Sequence, residues 1–369
     1  MSVAIPRGIL AAGVFVSGKG KLLGFVVTLL FLGLAFGKVD GQGLVDALAR
    51  ADYVYVAPAL LCWLMGYLVR TARWRVILAE ASTCRFVTLF GVLMIGFATN
   101  NLLPARLGEV ARAYLLRRHT DVRKTFLLAS IFLERVFDGL VLAALLSGLA
   151  FLIELPGWGR QVELLAGVVF LGVTVGVIGL LARRDLAERL LALALRPFPN
   201  RLARWTNGAF GAFMLGLGTM RRRSVLLKTA GLSLAVWTLE WSAYFVMSAG
   251  FDFGLSLGQR AAACALLLAV VNLGIMLPAA PGYVGTFQFF ATSALAVFGV
   301  GPEAALAFAI VAHLSQYLLV TLIGVGFLSR ENISLGALTR SGSEPSEPVA
   351  DEATPAPAVD DRIPSEASR

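Results

Sequence analysis

Long apolar runs separated by short basic stretches dominate the first 330 residues. Runs that meet the roughly 20-residue requirement for crossing a bilayer fall at 21–39, 53–72, 125–153, 163–182, 225–249 and 303–328. Two further apolar regions, 86–118 and 260–299, are interrupted near their middles. The interruptions read Asn100-Asn101-Leu102-Leu103-Pro104-Ala105 and Leu277-Pro278-Ala279-Ala280-Pro281-Gly282. Proline removes a backbone donor and clashes with the preceding turn, so each region predicts two half-helices meeting at a break. The pattern therefore predicts an all-α polytopic membrane protein with six full spans and two re-entrant helical hairpins.

The two breaks share LPAxxG, at Leu103 to Gly108 and at Leu277 to Gly282, and each follows two spans and precedes a third. Three spans per half is an odd number, so halves at about 20–153 and 163–328 would be inverted relative to one another. Within 184–224, Leu186, Leu190 and Leu193 recur at helical spacing among Arg183, Arg184, Glu188 and Arg189, which predicts an amphipathic cytoplasmic surface segment. After Arg330 the chain turns to Ser, Glu, Pro, Ala and Asp, with five of its 14 prolines between Pro345 and Pro364. That composition cannot bury a core, so 331–369 is expected to be a disordered acidic tail behind a transmembrane domain at 1–330.

Composition agrees with the pattern. Hydrophobic residues make up 58% of the 369 and charged ones 15%, where soluble domains carry about 25%, so soluble enzyme folds are excluded. The net charge of +9 divides into −4 over 329–369 and +13 before it. Basic residues crowd three loops: Arg70, Arg73, Arg75 and Arg85, then Arg117, Arg118, Arg123 and Lys124, then Arg183 through Arg223. The opposing loops hold only Lys38, Arg50, Arg160 and Arg260. The positive-inside rule makes the first set cytoplasmic if the first hairpin returns to the face it left. Both termini are then expected on the cytoplasmic side of the inner membrane, with the second hairpin entering from outside. The basic excess suits anionic lipid, and no nucleic-acid partner is expected. A homo-oligomer is compatible with this reading. Arg70, Arg73 and Arg75 with Trp74 sit at a span end and read as snorkelling anchors. Cys62, Cys84 and Cys264 form no CxxC pair, and His119 and His313 stand far apart, so neither metal nor cofactor is expected. No Walker A loop, GxSxG elbow or HExxH motif is present.

Ionisable residues at membrane depth are costly and are functional-site candidates by default. Arg106, Glu109 and Arg112 follow the first break at i, i+3 and i+6, which sets Glu109 between two guanidinium groups. They could hold an anionic headgroup or form an Arg/Glu clamp that closes the hairpin; the two readings are compatible. Glu134, Arg135 and Asp138 lie mid-span, with the carboxylates at i and i+4 on one face. Those carboxylates require a cation, and Arg106 or Arg112 are the candidates. Glu240 has no basic neighbour in its own run, so it is either neutral or paired with an arginine from elsewhere. At the second break Pro281, Gly282, Gly285 and Thr286 offer backbone groups and a hydroxyl, or serve simple hairpin packing.

Four stretches resemble, in order, the motifs of the lysylphosphatidylglycerol synthase/flippase transmembrane family. They are Arg70-Thr71-Ala72-Arg73-Trp74, the run from Asn101 to Arg112 with its PARxGE, Glu134-Arg135-Val136-Phe137-Asp138, and Pro278 to Phe287 with its PGxxG. The resemblance runs to about Arg330 and implies a membrane domain that moves a lipid headgroup between leaflets. It also implies a stand-alone flippase-like domain, since bifunctional members continue into a soluble aminoacyl transferase. Many members carry Glu where this chain has Gln288, which puts an acidic role at that position in doubt. The expectation is translocation of an anionic phospholipid or polyprenyl-linked headgroup across the cytoplasmic membrane, not enzymatic turnover. Its rivals are an intramembrane transferase with Glu134 or Asp138 as base, and a non-transporting partner subunit of a lipid or glycan pathway.

Overall fold

A computed structural model describes residues 18–37, 39–79, 81–103, 107–153, 222–276 and 281–331, with scattered positions between 157 and 189. The helices are α1 (Gly18–Phe36), α2 (Gly41–Arg50), α3 (Val56–Leu78), α4 (Phe86–Leu102), α5 (Gly108–His119) and α6 (Lys124–Ala150). After the gap come α7 (Arg223–Ser248), α8 (Leu257–Gly274), α9 (Thr286–Ala296) and α10 (Pro302–Arg330). No strand occurs among the described residues.

Among the described residues, three stretches are long and apolar enough to cross a membrane: Tyr53–Leu78, Leu257–Gly274 and Pro302–Arg330. A fourth arises if α1 and α2, bent by 81°, count as one span. This is an all-helical membrane protein, and three or four such spans is fewer than the six expected. The physical reasons differ by segment. Helices α6 and α7 have span length at 27 and 26 residues, but Glu134, Arg135 and Asp138 in one, and Glu240 with its Trp and Ser neighbours in the other, dilute their apolar content. The expected span at 163–182, the amphipathic segment 184–224, the tail 331–369 beyond Glu331 and the N-terminus fall almost wholly outside the described residues.

Local sequence explains the element ends near the breaks. Helix α4 has 17 residues and α5 has 12, or about 25 and 18 Å, each shorter than the roughly 30 Å hydrocarbon layer. They pack on one another because Gly96 and Gly108 let the backbones touch, and a Cβ at Gly108 would strike the Gly96 carbonyl oxygen. The Gly108 N–H donates to Asn100 Oδ1 at 2.8 Å, so Asn100 caps the incoming helix across the break. At the second break Gly282 and Gly285 adopt φ of 71° and 82°, which lets the chain turn sharply into α9. Gln288 then accepts the Gly285 N–H at 2.8 Å and starts that helix.

Packing follows a pattern that survives exchange of the two halves. Helix α3 packs on α7; α4 packs on α10, as α8 does on α6. Likewise α3 meets α4 as α7 meets α8, and α5 meets α6 as α9 meets α10. One continuous apolar core joins these helices, with Trp63, Trp74 and Tyr244 among its largest fully buried side chains. The second break lies against the end of α4, where Gly282 faces the Asn101 carbonyl and the Tyr317 ring. Helix α1 closes over α9 through Phe31, whose ring stands 4.9 Å from that of Phe289.

Candidate functional site

The polar centre grows from α3. Arg70 and Arg73 are one turn apart, and both are buried, so water cannot neutralise them and partners must come from neighbouring helices. Asp138 of α6 is the hub. Arg73 grips it with both Nη atoms, at 2.6 and 3.3 Å, and Arg73 Nη1 also donates to Ser233 Oγ at 2.9 Å. Trp237 Nε1 donates to the same Asp138 oxygen at 3.1 Å. The bidentate geometry is the strong form of the arginine–carboxylate pair.

Two further pairs flank the hub. Arg112 of α5 donates to Glu134 at 2.8 Å and stacks over the Trp74 ring at 4.1 Å, while Trp74 Nε1 donates to Ser130 Oγ. Arg73 Nη2 approaches the other Glu134 oxygen at 3.7 Å, linking this pair to the hub. On the opposite flank Arg70 donates to Glu240 at 2.9 Å, and Gln316 of α10 donates to the second Glu240 oxygen at 2.7 Å. The buried set Arg70, Arg73, Arg112, Glu134, Asp138 and Glu240 is thus neutral as a group. Its members lie on α3, α5, α6 and α7, and Gln316 ties in α10.

A cavity of about 180 Å³ opens beside this network, between the two breaks. Its charged wall is Arg70, Glu109, Arg135, Asp138 and Glu240. Its uncharged polar wall is Asn100, Asn101, Asn272, His313 and Gln316. Tyr67, Phe97, Trp237, Tyr244, Phe287 and Tyr317 complete it with rings. Pockets for drug-sized ligands are typically about 300–1,000 Å³, so this one suits a headgroup and not acyl chains. Arg135 stands apart from the other cations there. Its side chain is 40% exposed, and its nearest anions are Asp138 at 3.6 Å and Glu109 at 3.7 Å, beyond hydrogen-bond reach. Among the described residues it is the cavity's least satisfied guanidinium.

The expectations from sequence divide accordingly. Glu109, Arg135, Asp138 and Glu240 line the cavity, and Arg112 and Glu134 lie buried beside it. Arg106 is outside the described residues. Glu109 was expected between Arg106 and Arg112; among the described residues its ion pair is with Arg135 at 3.7 Å. Glu134 finds Arg112 as expected, whereas the main partner of Asp138 is Arg73. The reading of Arg70 and Arg73 as snorkelling anchors is wrong: both are buried ion-pair partners, and only Arg75 is exposed. Pro281, Gly282, Gly285 and Thr286 do not line the cavity. Pro281 is exposed and Thr286 is fully buried, so these residues shape the break instead. Sequence reasoning missed Asn100, Asn101, Asn272, Gln316 and Tyr67. One available signal was the charge balance: three deep carboxylates need three deep cations, and Arg70 and Arg73 are the nearest surplus.

Gln288 carries no charge and keeps two partners, the Gly285 N–H and His313 Nδ1 at 3.0 Å. His313 stacks on Phe287 at 4.5 Å between ring centroids, so the start of α9 is fastened to α10. Among the described residues no cluster of His, Cys, Asp and Glu could hold a metal ion.

Residues 21–324 match the family described as the lysylphosphatidylglycerol synthase TM region. The chain is similar to the glycosyltransferase AglD of Haloferax volcanii, at 26% identity over 87% of this chain, and spans 56% of that protein's length. It is also similar to a UPF0104 membrane protein of Methanothermobacter thermautotrophicus, at 27% identity over 76% of this chain and 86% of the relative. No solved structure matches.

Proposed function

The chain belongs to the lysylphosphatidylglycerol synthase transmembrane-region family, and from that premise we propose that it translocates a lipid headgroup between the leaflets of the cytoplasmic membrane. The cargo is an anionic phospholipid or a lipid-linked phosphate. The observation that carries this reading is the cavity beside the buried network, whose Arg135 is 40% exposed and meets its two anions, Asp138 and Glu109, only at 3.6 and 3.7 Å. A phosphate entering there would complete that guanidinium with charge-assisted bonds, while the neutral buried network keeps the surrounding field fixed.

Two further features support transport. The packing that survives exchange of halves suits an inverted repeat, in which α4–α5 and α8–α9 are re-entrant hairpins meeting near the midplane. In such a repeat, rocking of one half against the other would expose the cavity to each leaflet in turn. The short α4 and α5 fit a hairpin that returns to its face of entry. That arrangement keeps the basic loops, and with them both termini, on the cytoplasmic side. Chemistry on the lipid is the rival, because AglD is named a glycosyltransferase. The test is purified protein in liposomes carrying a headgroup-labelled anionic phospholipid or prenyl phosphate. Translocation predicts that label on the inner leaflet becomes accessible with its mass unchanged. Conversion of the labelled lipid to a new species without leaflet exchange would overturn the reading.

A further inference from the structure

Four amide side chains line the cavity: Asn100, Asn101, Asn272 and Gln316. Each spends one end on the scaffold. Asn100 gives its oxygen to the Gly108 N–H; Asn101 gives its amide nitrogen to Thr321 Oγ1 at 3.0 Å. Asn272 donates to the Leu268 carbonyl at 2.9 Å, and Gln316 donates to Glu240 at 2.7 Å and to the Tyr67 hydroxyl at 3.4 Å. The other ends have no protein partner among the described residues. Together with the second N–H of Asn272, they amount to the two N–H donors of Asn100 and three carbonyl acceptors, on Asn101, Asn272 and Gln316. The scaffold bonds fix which end is left over: flipping Asn100 would set donor against donor, and flipping Asn272, Gln316 or Asn101, whose nitrogen also faces the Tyr317 carbonyl at 3.5 Å, would set acceptor against acceptor.

We propose that these four amides bind a neutral polyhydroxyl group, a glycosyl or similar polyol unit, attached to the phosphate that Arg135 receives. The proposal rests on the functional reading above and specifies its headgroup. A hydroxyl both donates and accepts, so several hydroxyls can satisfy these donors and acceptors together. An ammonium group fits less well. Of the three cavity carboxylates, Glu240 is taken by Arg70 and Gln316 and Asp138 by Arg73 and Trp237, which leaves Glu109 alone, already facing Arg135 at 3.7 Å. The rings of Tyr67, Phe97 and Tyr317 offer apolar faces to the C–H side of a sugar. The volume, about 180 Å³, admits a compact headgroup and leaves the tail outside.

Binding of two soluble probes, inorganic phosphate and a hexose 1-phosphate, to the full chain in nanodiscs tests this, read by the fluorescence of Trp237 and by calorimetry. The wild type should prefer the hexose ester by about tenfold or more, the effect of one or two added hydrogen bonds. Asn272→Leu should erase that preference and leave phosphate binding intact, because the side chain bonds only within its own helix. Asn272→Ala, a strong helix former, replaces it if the larger side chain disturbs packing. Arg135→Gln should weaken both probes. Equal binding of the two probes by the wild type, or a preference that survives both Asn272 variants, overturns the proposal while leaving the phosphate site standing. Undiminished binding in Arg135→Gln instead strikes the phosphate reading. A prenyl-linked hexosyl phosphate in the same nanodiscs identifies the source of the group. Tighter binding than the soluble ester supports a lipid-borne sugar phosphate, and weaker binding supports a free one.

Discussion

Arg73 and Arg135 are both arginines within reach of Asp138, yet their surroundings give them opposite roles. Arg73 is 1% exposed and holds Asp138 in a bidentate pair, so removing it strands a buried carboxylate. Breaking such a pair costs about 3–5 kcal/mol. Arg73→Met is therefore expected to lower the melting temperature sharply in detergent, followed by tryptophan fluorescence; an unchanged melting curve would show that Asp138 is not charged in the fold. Arg135 is half-exposed with longer contacts, so Arg135→Gln should melt within a few degrees of the wild type. Much of this contrast was legible in the sequence. Glu134, Asp138 and Glu240 stood out because carboxylates are conspicuous in apolar runs. Arg70 and Arg73 did not, because arginine at the end of such a run also fits an interfacial anchor, and only the packing of α3 on α7 decides between burial and snorkelling. The amides escaped notice for another reason. An Asn or Gln in a span can bond its own helix backbone, as Asn272 does, and spacing alone does not reveal which end faces a cavity.

At the level of elements, the breaks were legible because Pro and Gly disrupt helices by known local rules, whereas the contact of the second break with the end of α4 was not. It depends on long-range packing. The α4–α5 hairpin should be sensitive to volume at its crossing. Gly108→Ala places a Cβ against the Gly96 carbonyl and Asn100, a clash worth about 1–3 kcal/mol if the backbone shifts to relieve it. Gly231→Ala, with nothing within 4 Å of the new Cβ, should be neutral or stabilising. Thermal melting of the two variants separates them, and equal melting temperatures would show that the hairpin is loosely packed. Re-entrance has its own test. Cysteines introduced at Arg85 and Arg118 should react with an impermeant maleimide from the same side of intact vesicles, and labelling from opposite sides would mean that the segment crosses.

For the whole molecule, the central claim is that a neutral buried charge network frames a cavity whose partly exposed cation, Arg135, receives the phosphate of a moving lipid. Stability and transport should then separate by residue: the network holds the helices together, and Arg135 acts on cargo. The helical, membrane-embedded class follows from the long apolar runs. The neutrality of the network does not, because it is a property of four helices assembled. The most direct measurement is leaflet exchange of a labelled anionic lipid in liposomes containing wild type, Arg135→Gln, Arg135→Lys and the double variant Arg135→Gln with Glu109→Gln. The account predicts that Arg135→Gln falls at least tenfold, that lysine rescues in part because it keeps the charge but loses the planar fork, and that the double variant stays inactive. Wild-type exchange in Arg135→Gln, or full recovery in the double variant, would make Arg135 a clamp on Glu109 and contradict the claim.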